Sequence, residues 1–326
     1  MQHILIDCDP GVDDALALIY AFNSPELHVE GITTVNGNAP VAVCSRNLLI
    51  VLETIGLEPS RYPILGRGSP QPLVKPWTMG AEVHGRDGLG NTTSMFTSDG
   101  ARRYPDPQPR PAEATATDVI IELAQKFAPE LILVATGPLT NLAEALLKDP
   151  ARMRMVREIV IMGGAFGTYG NVTLAAEFNV SVDPHAAQIV FDSGVPITVF
   201  PLNVTQQVQL LRDRLEAEAA LRDDRLTRFI LDSTLAVTEF DSAYQEFYGT
   251  HLHDPLTVIY LTHPELFETV ETRIAVETEG QLTQGATIAE LRPNRPRDRT
   301  NARVCVGVDV EAVLRIFYER SLRRRP

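Results

Sequence analysis

Four aspartates lie within eight positions near the start of the chain, between two short apolar runs at residues 4–6 and 15–19. So many like charges beside apolar sequence repel one another unless a cation neutralises them or some of them hold protons. Carboxylate oxygens are the ligands that hard cations such as calcium and magnesium prefer. The sequence therefore predicts a metal site at the end of a buried strand. The four residues are Asp7, Asp9, Asp13 and Asp14.

A simpler interpretation of this segment is a turn from a strand into a helix. Pro10 and Gly11 favour a turn, and Asp13 and Asp14 would stabilise the positive end of the helix that follows. This interpretation leaves the other two carboxylates without a role. An EF-hand loop also fits poorly, because residues 15–19 are apolar and a strand, not a helix, is expected before the cluster.

Two further segments combine glycine with polar residues after predicted strands. In residues 135–141, the main-chain oxygen of Thr136 can serve as a neutral metal ligand, although the Gly-Pro pair that follows predicts only a helix start. Residues 163–179 begin with two glycines, which allow a ligand to approach the backbone closely. Their polar side chains offer the mixture of donors and acceptors that suits sugar hydroxyls. The polar residues are Asn171, Glu177 and Asn179.

A fourth segment, residues 251–255, contains His251, His253, Asp254 and Pro255. An aspartate before a proline is typical of a helix N-cap, and Asp183-Pro184 shows the same pattern. In isolation, Asp254 is therefore most simply a cap. If this segment joins the aspartate cluster, Asp254 adds a further carboxylate to the metal, and a neutral His253 can donate or relay a proton.

The composition favours a soluble protein that does not bind nucleic acid. The chain has 326 residues, 44% of them hydrophobic, and a net charge of −13; such a surface attracts cations and disfavours nucleic acid. The three cysteines are too few and too scattered for a disulfide framework or a zinc site, so we expect them in the core. No signal sequence or membrane span is expected, and we predict a cytoplasmic protein. Arginine-rich segments at 292–303 and 320–325 are expected to be a solvated loop and a frayed terminus, with phosphate binding as the less favoured alternative.

Apolar runs alternate with helix-like stretches through residues 3–200. This alternation predicts an α/β fold with a mostly parallel, mixed central sheet flanked by helices, a Rossmann-like open sheet in one domain over residues 1–326. Ligands bind beyond the carboxyl ends of strands in such sheets. Residues 60–100, rich in glycine and proline, predict a long loop that can act as an active-site flap. The predicted strands are 3–8, 29–35, 131–136, 158–162, 196–200, 272–277 and 303–308. The predicted helices are 15–22, 41–55, 116–128, 139–147, 184–192, 210–215, 225–247, 255–261 and 310–322.

The aspartate cluster and the other segments together resemble one protein family. The run Asp-Cys-Asp-Pro-Gly-Val-Asp-Asp at residues 7–14 is identified as the hallmark of nucleoside hydrolases of the inosine–uridine-preferring type. The resemblance covers residues 3–315. The family's other motifs are similar, in the same order, to residues 32–38, 136–141, 162–164, 176–179 and 253–255.

This resemblance implies calcium-dependent hydrolysis of the N-ribosidic bond of ribonucleosides. The products would be free ribose and a purine or pyrimidine base, in nucleoside salvage or catabolism. It also implies Ca²⁺ as cofactor, a small-molecule nucleoside as partner, and a homodimer or homotetramer. The implied metal ligands are Asp9, Asp14, the main-chain oxygen of Thr136, and Asp254. The implied substrate contacts are Asp13, Asn38, Asn171, Glu177 and Asn179 at the ribose, with His84, Met162 and Phe178 along the pocket.

The expected mechanism follows from the charge that develops on the sugar. Breaking the bond builds positive charge on the ribose ring, and nearby carboxylates stabilise that charge more than the neutral substrate. Asp9 is expected to take a proton from water as general base, and His253, or a chain of groups through His84, to protonate the leaving base. Gln206 departs from the family pattern, since several relatives have histidine there, and this bears on substrate range.

Four aromatic residues lie in the segment that varies with base preference in this family. Simple packing in a helix core is the alternative interpretation for them. They are Phe240, Tyr244, Phe247 and Tyr248.

Two other functions are compatible with parts of the pattern. A phosphatase of the haloacid dehalogenase type also has Asp-x-Asp after its first strand, but it needs a downstream lysine and a further acidic pair. A non-catalytic nucleoside-binding protein could retain the metal site. A phosphatase would release phosphate from sugar phosphates, and a nucleoside hydrolase would release free base from nucleosides. A binding protein would bind the nucleoside without forming a product.

Overall fold

The computed structural model describes residues 1–77, 83–107, 114–222, 224–292 and 300–322. A nine-stranded sheet and two small two-stranded sheets lie within these residues. The strands are β1 (Gln2–Cys8), β2 (Leu27–Thr34), β3 (Ile64–Arg67), β4 (Ala114–Thr115), β5 (Ile132–Ala135), β6 (Glu158–Met162), β7 (Ile197–Phe200), β8 (Gln209–Leu211), β9 (Gly249–His251), β10 (Phe267–Thr272), β11 (Ile274–Val276), β12 (Thr287–Ala289) and β13 (Ala302–Val308).

Helices cover both faces of the large sheet. Their bounds are α1 (Val12–Phe22), α2 (Val41–Ile55), α3 (Ala116–Phe127), α4 (Thr140–Lys148), α5 (Pro150–Met153), α6 (Phe178–Val182), α7 (Pro184–Phe191), α8 (Leu202–Thr205), α9 (Arg212–Ala219), α10 (Arg225–Tyr244), α11 (Pro255–Thr262) and α12 (Val310–Ser321).

The order of the large sheet is β10-β13-β7-β6-β5-β1-β2-β3-β4. Its neighbouring strands are parallel, except for the antiparallel pair of β10 and β13 at one edge. Strand β1 pairs with β2 on one side and with β5 on the other, so the order of the strands switches sides at β1. In open α/β sheets, such a switch leaves a ligand-binding crevice beyond the carboxyl ends of the strands. The aspartate cluster directly follows β1 and therefore borders this crevice.

Strand β1 is buried on both faces, as is usual for a parallel strand covered by helices. Ile4 and Ile6 pack with residues of α1, α2, α11 and α12, whereas Leu5 packs with residues of α3 and α4. Successive side chains of a strand point to opposite faces. This alternation places Asp7 on the same face as Leu5.

The sequence predicted the α/β class and the mostly parallel sheet correctly. The five strands expected between residues 3 and 200 are all present, with ends shifted by at most two residues. The three cysteines are buried and free, as expected. The loop expected at 60–100 is interrupted by β3, a four-residue strand that pairs with β2.

The helix predicted at 210–215 is wrong at its start. Residues 209–211 form β8, which pairs antiparallel with β9, and the helix begins only at Arg212. Pairing with a strand some forty residues away in sequence overrides the local helical pattern here. The strand predicted at 272–277 is divided between the last residue of β10 and β11.

Parts of the two arginine-rich segments lie outside the described residues, namely Arg295, Arg297, Arg299 and Arg323–Arg325. A search of the part of the chain that the structure describes finds no helix that is both long and apolar enough to cross a membrane.

Candidate active site

One cavity lies beyond the carboxyl ends of β1, β2, β5 and β6, at the crevice expected from the strand order. Its walls come from the loops after these strands, from α10 and β9, and from the residues just before α11. Distant parts of the chain therefore meet there. The residues singled out from the sequence that line it are Asp9, Asp13, Asn38, His84, Thr136, Met162, Asn171, Glu177, Phe178, Asn179, His253 and Asp254.

The carboxylate of Asp9 occupies space that two glycines leave open. An added Cβ at Gly37 would lie 2.0 Å from Asp9 Oδ2, and one at Gly137 would lie 2.7 Å from Asp9 Oδ1. The backbone N–H of Asn38 donates to Asp9 Oδ2 at 2.6 Å, and the Asn38 side-chain amide donates to the main-chain oxygen of Asp9 at 3.2 Å. The loops after β2 and β5 thus fix this carboxylate at the end of β1.

Asp14 lies behind the cavity wall and joins two strand ends. Its Oδ2 accepts the N–H of Gly11 at 2.8 Å, and its Oδ1 accepts the hydroxyl of Thr136 at 2.7 Å. The turn interpretation is therefore right in part, because Asp14 does satisfy a backbone donor at the start of α1. Asp13 behaves differently, since its Oδ1 is buried and has no hydrogen-bond partner among the described residues.

Asp13, Asp14 and Asp254 each bring a carboxylate oxygen within 4.8 Å of the other two. Burial raises the pKa of Asp254 well above its ordinary value, and repulsion from Asp13 and Asp14 raises it further. Burial and then repulsion from Asp13 raise the pKa of Asp14 to about 6. Burial and repulsion from Asp14 likewise raise the pKa of Asp9 well above its ordinary value. Carboxylates placed in this way stay ionised together only beside a positive charge, so the donor set fits a hard divalent cation.

The three clustered carboxylates include Asp13, which the resemblance assigned to the ribose and not to the metal. Asp9, an expected metal ligand, lines the cavity beside them, just after the end of β1. The main-chain oxygen of Thr136 faces the same region and accepts a hydrogen bond from Asn179 Nδ2 at 2.8 Å. A carbonyl oxygen has a second lone pair, so this bond leaves Thr136 able to serve as a further oxygen ligand.

Asp254 and Asp183 share the Asp-Pro pattern but differ in what their carboxylates do. Asp183 caps α7, because its Oδ1 accepts the N–H of Ala186 at 3.0 Å, and its Oδ2 accepts from Leu73 N–H and the Thr140 hydroxyl. The side chain of Asp254 makes no capping hydrogen bond to α11. The simple N-cap interpretation is therefore right for Asp183 and wrong for Asp254, whose buried carboxylate faces the other aspartates.

Asp7 does not belong to the cavity, although the sequence placed it among the four clustered aspartates. It lies within β1, on the face that carries Leu5, where its Oδ1 accepts hydrogen bonds from the Thr33 hydroxyl at 2.6 Å and from Asn141 Nδ2 at 2.7 Å. Burial raises its pKa to about 7. Asp7 is separate from the carboxylates that follow because it lies within β1, whereas the others come after the end of the strand.

Glu177 and Asn179 form the opposite side of the cavity floor. Glu177 Oε2 accepts N–H groups from Gly164 at 3.0 Å and Val180 at 3.1 Å. Asn179 Nδ2 reaches across to the main-chain oxygens of Thr136 and, at 3.2 Å, of Met162. The glutamate is thus held by backbone donors at the start of α6, and the asparagine links the ends of β5 and β6.

Two histidines, His84 and His253, line the cavity. His84 Nδ1 accepts the backbone N–H of Val12 at 3.2 Å, so the neutral ring carries its proton on Nε2. His253 Nδ1 lies 2.7 Å from the hydroxyl of Thr205. Burial lowers the pKa of His253, which keeps its imidazole neutral near pH 7. His84 Nδ1 also lies 3.8 Å from Asp13 Oδ1.

Asp87 organises the loop that carries His84. Its two carboxylate oxygens accept N–H groups from Leu89, Asn91 and Thr93 at 2.8–2.9 Å. Asn47 Nδ2, on α2, donates to the main-chain oxygen of Asp87 at 3.0 Å and to that of Pro10 at 3.2 Å. The part of the expected flap that follows His84 is therefore tied to α2 and to the turn after β1.

Sequence reasoning missed most of the outer wall of the cavity. Val237 and Asp241 on α10, and Thr250 and His251 on β9, line it. Spacing alone offered one signal, because residues 237 and 241 share a helix face. The aromatic set singled out in the same segment does not line the cavity, and the helix-core interpretation is wrong for Tyr244, which is 76% exposed.

Comparison with known proteins identifies the family to which the chain belongs, over nearly its whole length. Residues 4–315 match the model of the inosine-uridine preferring nucleoside hydrolase family. The chain is 38% identical over 325 residues to the pyrimidine-specific ribonucleoside hydrolase RihA of Salmonella paratyphi A, covering 97% of each protein.

Solved structures of nucleoside hydrolases have the same fold as this chain. A plant nucleoside hydrolase, PpNRh1, superposes with a TM-score of 0.88 at 32% identity over 98% of this chain and 99% of that one. A purine-preferring ribonucleoside hydrolase from Gardnerella vaginalis superposes with a TM-score of 0.86 at 34% identity over 98% of both chains.

The two Asp-Pro aspartates provide a matched pair of variants. We expect Asp183→Ala to lower the free energy of unfolding by at least about 2 kcal/mol, because it removes a helix cap and leaves buried donors unpaired. Asp254→Ala breaks no capping bond and removes a buried like charge, so in chelator-treated protein we expect it to cost less than about 1 kcal/mol. Urea unfolding of both variants measures the difference. Equal losses would contradict the assignment of the two carboxylates.

Proposed function

The chain belongs to the inosine-uridine preferring nucleoside hydrolase family and is a ribonucleoside hydrolase, and we propose that its reaction depends on a calcium ion. The observation that carries this proposal is the buried carboxylate cluster, whose raised pKa values reflect burial and mutual repulsion. Oxygen-only donors of this kind, one of them a main-chain carbonyl, suit calcium. The proposed ligands are Asp9, Asp14, Thr136 through its main-chain oxygen, and Asp254.

The ion would neutralise the carboxylate cluster and make a nearby water molecule more acidic. Asp9 then accepts the proton of the attacking water as general base. The Asn38 N–H donates to one oxygen of Asp9, and the absence of side chains at Gly37 and Gly137 leaves room for the carboxylate. The base is therefore oriented before the substrate arrives, which is how positioning lowers a barrier.

Polar residues of the cavity floor are proposed to bind the ribose. Glu177 accepts from backbone donors through both oxygens, so its position does not depend on the substrate. Carboxylates around the sugar stabilise the positive charge that builds up as the bond to the base breaks. Because the substrate is neutral, this interaction is strongest in the transition state. The proposed ribose-binding residues are Asp13, Asn38, Asn171, Glu177 and Asn179.

His253 is proposed to protonate the leaving base. Its ring is neutral, and its Nδ1 is paired with the Thr205 hydroxyl, which leaves Nε2 as the atom available for proton transfer. The His251 ring follows at 5.3 Å between centroids, so the base would leave towards the wall of α10 and β9. His84 also lines the cavity and is the alternative route for the proton. His84, Met162 and Phe178 would line the pocket around the nucleoside.

We also propose, from the family resemblance, a role in nucleoside salvage or catabolism, a cytoplasmic location and assembly into homodimers or homotetramers. Light scattering of the purified protein tests the last of these.

Replacing Asp9 tests the general base. We expect Asp9→Asn to lower kcat by more than about 10³-fold, because it removes both a base and an ion ligand, and to leave the melting temperature within a few degrees of wild type. Asp7→Asn is the matched control: it removes a buried carboxylate two residues away, keeps an acceptor for Thr33 and Asn141, and leaves the cavity unchanged. We expect that control to retain nearly full turnover. Near-wild-type turnover of Asp9→Asn would refute the assignment.

Removing the ion tests the cofactor. Elemental analysis of purified protein should find about one calcium per chain, as a single carboxylate cluster requires. A chelator should remove both this calcium and the activity, and added CaCl₂ should restore the activity and raise the melting temperature, because an ion that binds only the folded state stabilises it. Asp254→Ala should hold no calcium. A chelated, calcium-free enzyme with full activity would exclude the proposal.

Replacing His253 tests protonation of the leaving base. We expect His253→Ala to lower kcat/KM for inosine and uridine by about 10²–10⁴-fold. The same change should have a much smaller effect on 4-nitrophenyl riboside, whose phenolate leaves without a proton. His84→Ala, measured beside it, shows which histidine carries the larger leaving-group effect. Equal losses on all substrates would assign His253 a structural role.

A further inference from the structure

A second cluster of metal-ligand residues lies at the opposite end of β1 from the cavity. His3 lies near the start of β1, and His28 and Glu30 lie on β2. One donor atom from each residue lies within 4.8 Å of the others. The mechanism uses none of these side chains, and Asp9, beyond the far end of β1, is six residues from His3.

The pairing of β1 with β2 brings the three side chains together. His3 is directly opposite His28 in the parallel register, so their side chains lie on the same face of the sheet. The register then shifts, since Ile4 pairs with Val29 and the next residue pairs with Gly31. Glu30 is the extra residue of this bulge. His28 and Glu30 are two residues apart on β2 and so share a face of the sheet, and the carboxylate of Glu30 contacts both imidazoles.

Both imidazoles of the cluster contact the same oxygen of Glu30. His3 Nδ1 lies 2.7 Å from Glu30 Oε1, and His28 Nδ1 lies 2.8 Å from the same oxygen. Around a tetrahedral zinc ion with bonds of about 2.0 Å, ligand atoms are about 3.3 Å apart. Movements of half an ångström to about one ångström would therefore open the cluster for an ion. His28 is 54% exposed, so its side chain is free to make such a movement.

His3 has the surroundings typical of a metal-binding imidazole. Its ring stacks on Phe127, with centroids 4.7 Å apart and planes 20° apart. Its second nitrogen, Nε2, lies 4.0 Å from the carboxylate of Glu130. In metal sites, the nitrogen that does not bind the ion usually donates to a carboxylate, which fixes the tautomer and orients the ring. When an ion binds Nδ1, the neutral ring carries its proton on Nε2, and Glu130 can then accept a hydrogen bond from that nitrogen.

We propose that His3, His28 and Glu30 form a binding site for a divalent transition-metal ion of the zinc type. Two imidazoles and one carboxylate are borderline donors that favour zinc over calcium. This distinguishes the site from the oxygen-only cluster at the other end of β1. The exposed side of the cluster leaves the remaining coordination position to water. The bound ion would join the amino ends of β1 and β2.

Zinc titration of the calcium-loaded enzyme tests the proposal, because calcium then occupies the acidic cluster. Isothermal titration calorimetry with ZnCl₂ should show one site per chain that His28→Gln weakens at least tenfold. His28 is largely exposed, so this variant should fold and retain wild-type hydrolysis. His3→Gln should weaken the same site. His185→Gln, which changes a histidine on α7 outside the cluster, is the matched control and should bind zinc as the wild type does.

Cobalt provides a second readout. Co²⁺ added to the calcium-loaded protein should give the visible absorption of a tetrahedral nitrogen–oxygen site, and His28→Gln should abolish it. Zinc should also raise the melting temperature of the wild type more than that of His28→Gln. No zinc uptake by the calcium-loaded protein, or uptake that His3→Gln and His28→Gln leave unchanged, would overturn the proposal. Neither outcome would affect the proposed hydrolase mechanism.

Discussion

Mutual repulsion among buried carboxylates is the constraint on which the cavity depends. Asp9, Asp13, Asp14 and Asp254 arrive from two ends of the chain and are held within one low-dielectric region. Such an arrangement costs free energy unless a cation joins it. The fold offsets part of this cost by aligning the carboxyl ends of β1, β2 and β5, where two backbone N–H groups and the Thr136 hydroxyl donate to the carboxylates. This edge of the sheet therefore favours the binding of a positive charge.

The individual carboxylates differ mainly in what else they bind. Asp14 accepts hydrogen bonds from a backbone N–H and from Thr136, whereas one oxygen of Asp13 has no hydrogen-bond partner within the described part of the chain. Asp9 is positioned by one backbone donor and by the absence of two side chains. Identical residue types thus acquire different tasks from their local hydrogen bonds, and the same principle separates Asp254 from Asp183.

Part of the cavity floor could be anticipated from the sequence because Asp9 and Thr136 directly follow strands. Parallel strands bring their carboxyl ends to one edge, so Asp9 and Thr136 were expected to meet. Asp7 is separate from the cluster because it lies within β1 and accepts hydrogen bonds from Thr33 and Asn141, and the motif alone did not show where the strand ends. Asp241 could not be found in this way, because α10 reaches the cavity only through long-range packing. No local pattern records a contact between segments that are far apart in sequence.

The division between floor and outer wall has an evolutionary consequence. The floor is built from strand ends of the large sheet and from the start of α6, whereas the outer wall comes from one contiguous stretch that contains α10 and β9. Selection can therefore exchange residues such as Val237 or Thr250 to suit a new leaving group while the sugar chemistry is inherited unchanged. In a scaffold divided in this way, substitutions within a single segment of the sequence can change which leaving group fits.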